Sequence, residues 1–141
     1  MTRPIEFRAW EEKTKTMCDW NCMRQTAFNS INVLAAAERF EESGRDHKYL
    51  HFSSWFYNVF NNPDIVLEQF TGLLDKNGVK VFEGDIIKSE FFDGYGVVIF
   101  NENNTSFCVE INDGIRFYSL CCSLAKGCVA GNIHQNPELL K

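Results

Sequence analysis

Proline is scarce in this chain, with three in 141 residues. A Pro-rich linker or polyproline recognition segment is thereby excluded. Positive charge is also in deficit: 14 Lys and Arg stand against 19 Asp and Glu, a net charge of −5. A protein that grips duplex DNA through its phosphates is normally basic, so that class starts behind. Long apolar runs are missing. Val33–Ala37 and Gly96–Phe100 are the longest apolar stretches, far short of the roughly 18 residues a membrane-spanning helix needs. No apolar run follows Arg3 and Arg8, so the opening does not read as a signal peptide. Phosphate-binding glycine motifs are absent too. Gly94-Tyr95-Gly96 reads as a turn into a strand and opens no helix. There is no internal repeat and no low-complexity tract.

What remains is an ordinary globular composition with an aromatic surplus. Hydrophobic residues make up 45% and charged residues 23%, which argues against disorder. A chain of about 150 residues buries roughly two-thirds of its unfolded surface, enough for a core. Thirteen Phe, four Tyr and three Trp make that core aromatic-heavy.

The chain reads as two parts, 1–62 and 63–141, with a seam at Asn61-Asn62-Pro63-Asp64, a cluster with turn chemistry. In the first part, Ile5–Trp10 alternates as a half-buried strand. A polar turn over 11–15 returns it through Thr16–Trp20 as a hairpin partner. Ala35–Glu42 has high helix propensity, and Gly44 makes a stop. Phe52, Trp55, Phe56 and Phe60 form an apolar stripe if helical, suited to packing within the chain.

The second part is punctuated by Gly and Asn. Val66–Thr71 reads as a strand, and Asp75-Lys76-Asn77-Gly78 as a tight turn. Val81–Lys88 turns at Gly84 and enters another strand. Gly94–Phe100 and Thr105–Ile111 pair around an Asn-rich turn. Ile115–Leu120 and Cys128–Ile133 follow, and Pro137–Leu140 makes a short terminal turn. Strands this short and this evenly spaced suggest a small barrel or sandwich.

Chemistry-bearing constellations are few. Cys18 and Cys22 stand in C-x₃-C spacing, and His47 and His51 in H-x₃-H spacing. These four are the candidate zinc ligands, although 24 residues separate the pairs, against about 12 in a zinc finger. The competing reading has the cysteines as small buried apolar residues and the histidines exposed. Cys121 and Cys122, read on a strand, point to opposite faces and do not share an ion. His134 near Cys128 lacks the orienting third group of a nucleophile site and reads as a surface or capping residue. Glu83 and Asp85 flank Gly84, a pattern more typical of a solvated turn than of paired catalytic carboxylates. No catalytic residue and no cofactor is assigned.

Three segments in order carry a family resemblance. The opening is Ile5-Glu6-Phe7-Arg8-Ala9-Trp10. The centre runs from Gln69-Phe70-Thr71-Gly72 through Asp75-Lys76-Asn77-Gly78 to Glu83-Gly84-Asp85-Ile86-Ile87. The end is Gly131-Asn132-Ile133-His134-Gln135-Asn136-Pro137-Glu138-Leu139-Leu140. Together they resemble the YopX family of phage and prophage proteins. The resemblance implies an α+β protein: an irregular N-terminal α+β part (1–62), then a C-terminal SH3-like β-roll or barrel (63–141), with the N-terminal strand packing on the roll. It implies a phage or prophage product in the bacterial host cytoplasm, and brings no catalytic residues, cofactor or substrate.

On such a roll, Lys88, Phe91, Phe92 and Tyr95 cluster on one loop as a candidate binding surface. The competing reading has these aromatics cap the roll's open end. The expected function is a non-enzymatic module for contact with a host or phage protein, with self-association an open option. The alternatives are a nucleic-acid-binding module, which the net charge disfavours, and a zinc- or thiol-dependent activity.

Overall fold

The computed structural model describes residues 4–23, 62–111 and 114–141. The chain divides into two compact units, residues 8–67 and residues 1–7 with 68–141. The helix expected at 35–42 and the aromatic stripe at 52–60 lie outside the described residues.

In the unit of residues 8–67, β1 (Phe7–Glu11) pairs antiparallel with β2 (Thr16–Cys18). The alternating pattern buries Trp10, whose indole Nε1 donates to Glu12 Oε2 at 2.8 Å. Asp19 then starts a helical turn over 20–23: its Oδ1 accepts from Cys22 N at 2.7 Å, an N-cap contact. Asn62-Pro63-Asp64 is a turn, with Asn62 Oδ1 accepting from Asp64 N.

The other unit is mostly β. Glu6 O accepts from Phe70 N, tying the opening residues to β3 (Ile65–Leu74). β3 and β4 (Lys80–Phe82) form an antiparallel hairpin with a register shift between Phe70 and Leu74. Asp75 builds its turn, accepting from Asn77 N and Val79 N through Oδ1. Gly78 supplies the positive φ of +81° that the turn needs.

A five-stranded antiparallel sheet follows, curled as a half-barrel, in the order β8-β7-β6-β5-β9. Its strands are β5 (Asp85–Ser89), β6 (Gly96–Asn101), β7 (Ser106–Ile111), β8 (Arg116–Ser119) and β9 (Gly127–Asn132). The core holds Val81, Ile87, Val98, Val109, Ile111, Leu120 and Leu124. β5 is buried on both faces, with Ile86 and Ile87 both fully buried. Opposite them, Ile86 pairs with Gly131 and Ile87 with Val129, leaving Ala130 as the extra residue of a bulge.

One element departs from the sequence reading. Leu120–Ala125 is a helix, α1, rather than the tail of a strand. Its inward face buries Leu120, Ser123 and Leu124, while Cys121 and Cys122 are exposed. The two cysteines are therefore neighbours on a helix surface and do not alternate across a sheet. Pro137–Leu140 is a 3-10 helix with proline in its first turn.

Candidate functional site

The polar residues of the sequence motifs hold the fold together. Asp75 is buried. Beyond its turn, its Oδ2 accepts from Val129 N at 2.9 Å, fastening the hairpin to β9. Burial pushes its carboxyl pKa up, but the N–H donors of Val129, Val79 and Asn77 outweigh that, and it lies below the ordinary aspartate value. Asp85 is buried, not solvated, and its Oδ2 accepts from Phe82 N. Glu83 Oε2 accepts from Gln69 N. Neither is part of an open acid–base pair.

The closing motif is a hydrogen-bonded loop. Asn132 Oδ1 accepts from His134 N and Gln135 N, and Asn136 Oδ1 accepts from Asn132 N. His134 is not a surface residue: its Nε2 lies 2.8 Å from Glu68 Oε1, and its side chain is 12% exposed. Gly84, at φ +76°, leaves room for the same carboxylate; a Cβ there would strike Glu68. Among the described residues, every buried side-chain N and O atom has a hydrogen-bond partner.

Of the candidate zinc ligands, Cys18 and Cys22 are joined to each other as a disulfide. Their sulfurs are thereby unavailable as thiolate ligands. They are also not buried apolar residues, since Cys18 is half-buried and Cys22 exposed. His47 and His51 lie outside the described residues. Among the described residues no group of three or more His, Cys, Asp or Glu side chains is placed to hold a metal ion.

The loop aromatics divide. Phe92 turns onto the core and meets Tyr118, ring centroids 5.4 Å apart. Phe91 is half exposed, with Lys126 Nζ 5.9 Å from its ring centroid. Tyr95 is half-buried with Lys88 Nζ at 5.6 Å. The hollow beside Phe91 and Phe92, about 230 Å³, carries the acids Glu90 and Asp93 together with Arg116. The four candidate residues are thus one cation–aromatic pair (Lys88 and Tyr95), one ring packed on the core (Phe92), and one half-exposed ring (Phe91) whose cation is Lys126.

A larger concavity lies elsewhere on the same unit. It has a volume of about 580 Å³ and runs from Gly72 and Leu73 of β3 to Phe107, Phe117, Tyr118 and the start of α1. Among the described residues no charged side chain lines it. It borders β8, the terminal strand of the five-stranded sheet. Cys121 stands in its wall with Ser119. The sequence shows these aromatics, but the groove needs residues some 50 positions apart, so no local pattern marks it.

Among the described residues, fold and site define a small β-rich protein whose motif polar residues are structural and which carries a groove lined by uncharged side chains. The chain belongs to the YopX family: the YopX protein model matches residues 6–141. It is similar in fold to the crystal structure of protein EF1440 from Enterococcus faecalis, with a TM-score of 0.55. Identity is 23% over 99% of this chain and 100% of that one. No curated protein gives a significant match. Among the described residues no helix is long and apolar enough to cross a membrane.

Proposed function

We propose that this protein is a non-enzymatic interaction module of a phage or prophage. It works in the bacterial host cytoplasm on an SH3-like roll, and receives an extended, uncharged segment of a host or phage protein. The observation that carries this reading is the uncharged groove bordering the edge strand β8. An edge strand offers backbone N–H and C=O groups to an added strand, and adjacent pockets select its side chains. Phe117, half exposed, and Leu73 provide the apolar contact. A wall without charge favours a partner segment without charge, because a buried unpaired charge is costly.

The test uses the tagged full chain, wild type and Phe117→Ala, captured from phage-producing host cells. The expected result is one stoichiometric protein that the variant loses, with slowed amide exchange in Arg116–Ser119 within the complex. Equal capture by both chains, with β8 amides unprotected, overturns the reading.

Nucleic-acid binding is the second reading, resting on the Lys88–Tyr95 and Lys126–Phe91 pairs. Glu90 and Asp93 beside Phe91 oppose it by repelling phosphate. Recovery of bound nucleic acid that weakens steeply with salt would favour it over the first.

A further inference from the structure

Cys18 and Cys22 are bonded to each other across a separation of four residues, with Cα atoms 5.5 Å apart. That spacing lies within the ordinary span of a disulfide. Each cysteine is also held by bonds that do not involve sulfur. Cys18 ends β2 and pairs with Ala9 of β1, beside the pair of Met17 with the buried Trp10. Cys22 N donates to Asp19 Oδ1 at 2.7 Å, and Met23 N donates to Asp19 O at 2.9 Å. Met23 is buried, which gives the turn over 20–23 an apolar anchor of its own. Strand pairing and the Asp19 cap therefore bring the two cysteines together independently of the S–S bond.

The bond closes a loop of only a few residues. Stabilisation by a disulfide grows with loop length, so opening this one leaves most of the fold's stability in place. It is also reachable, since Cys22 is exposed and Cys18 half-buried. Exposed disulfides are the labile ones, whereas structural disulfides resist the glutathione pool. Cys121 and Cys122, both exposed, do not form a second couple of this kind. Adjacent Cα atoms stand about 3.8 Å apart, closer than the roughly 4.4–6.8 Å that a disulfide ordinarily spans.

We propose that Cys18–Cys22 is a reversible redox switch, which opens to a dithiol and recloses while the β1–β2 hairpin stays folded. The inference rests on this hairpin and not on the groove. The reductant is a small thiol of the glutathione class. Its thiolate attacks the exposed Cys22 Sγ, the Cys18–Cys22 bond breaks, and Cys18 leaves as a thiolate that takes up a proton. A second thiolate attacks the reductant's sulfur in the mixed disulfide, and Cys22 leaves and is protonated in turn. Two small thiols become one disulfide, and the protein's disulfide becomes two thiols. In a reducing compartment, where stable disulfides are rare, the couple rests as the dithiol and closes under oxidation.

The test equilibrates the full-length protein, without denaturant, in glutathione buffers of graded reduced-to-oxidised ratio. Thiols are trapped by alkylation and located by peptide mass, with Cys121 and Cys122 reporting complete alkylation. Cys18 and Cys22 should pass together from disulfide to dithiol within the series and return when the ratio is reversed. Amide exchange in β1 and β2 should change by less than about threefold between the two states. Asp19→Ala should slow reclosure by about fivefold, the scale of losing one N-cap, with β1–β2 exchange unaltered. Asp19→Asn, which keeps the accepting oxygen, should reclose like wild type. A bond that persists in a large excess of reduced glutathione until urea is added would overturn the proposal. So would thiols that fail to reclose, or hairpin amides that lose protection throughout when the bond opens.

Discussion

Single side chains in this protein show how motif and function separate. Gly84 sits at φ +76° with the Glu68 carboxylate where a Cβ would go. Gly84→Ala meets both backbone strain and a buried carboxylate already placed against His134. A loss of about 2 kcal/mol or more is expected, read as a lowered urea midpoint with unchanged slope. Asp75 gives a pH prediction. Its pKa is depressed in the folded chain, so its stabilisation is present above the ordinary unfolded value. It is lost as pH falls through the lower folded value. The wild-type urea midpoint should therefore fall on acidification below about pH 4. Asp75→Asn should start from a lower midpoint at neutral pH and show less of that acid dependence.

At the scale of elements, the second part was legible wherever turn chemistry was local. Asn77-Gly78, Glu83-Gly84-Asp85 and Gly94-Tyr95-Gly96 carry their own punctuation, and the strand expected after Gly84 is β5, while the three-residue β4 before it carries no signal of its own. The hairpin of β1 and β2 was legible from alternation around a polar turn. α1 was not, because Leu120–Ala125 is six residues long, too short to show a helical period. Its Leu120 and Leu124 also fit a strand's apolar face. On this helix Cys121 and Cys122 are neighbours on one surface, where a strand would set them on opposite faces. His134 shows the same limit: its partner Glu68 lies 66 positions away. The groove was invisible for that reason, although each aromatic in it was counted. Phe117 is half exposed and packs little into the core, so Phe117→Ala should shift thermal stability by less than about 1 kcal/mol while weakening partner capture. Calorimetry and capture on the same preparation check both halves.

For the whole molecule, net charge misstates the surface. Of the acidic groups, Glu68, Asp75 and Asp85 are buried and hydrogen-bonded inside the fold. These three carboxylates are therefore not presented on the surface. Acidity remains an argument against phosphate binding where it is exposed, as at Glu90 and Asp93. The family match runs over both chain ends, and the first residues of the opening motif, Ile5–Phe7, share a compact unit with the closing motif. Polar residues of the closing motif, Asn132 and His134, hold that unit together through hydrogen bonds.

The position of β9 has a consequence for how this protein is made. β5 lies between β6 and β9 in the sheet, and β9 leaves the ribosome after the other four strands of that sheet. During synthesis β5 has one neighbour and one bare edge, flanked by the fully buried Ile86 and Ile87. A nascent chain at that point is an adhesive intermediate, able to pair with another chain on the same message. Ribosome stalling between β8 and β9 would then be felt as aggregation.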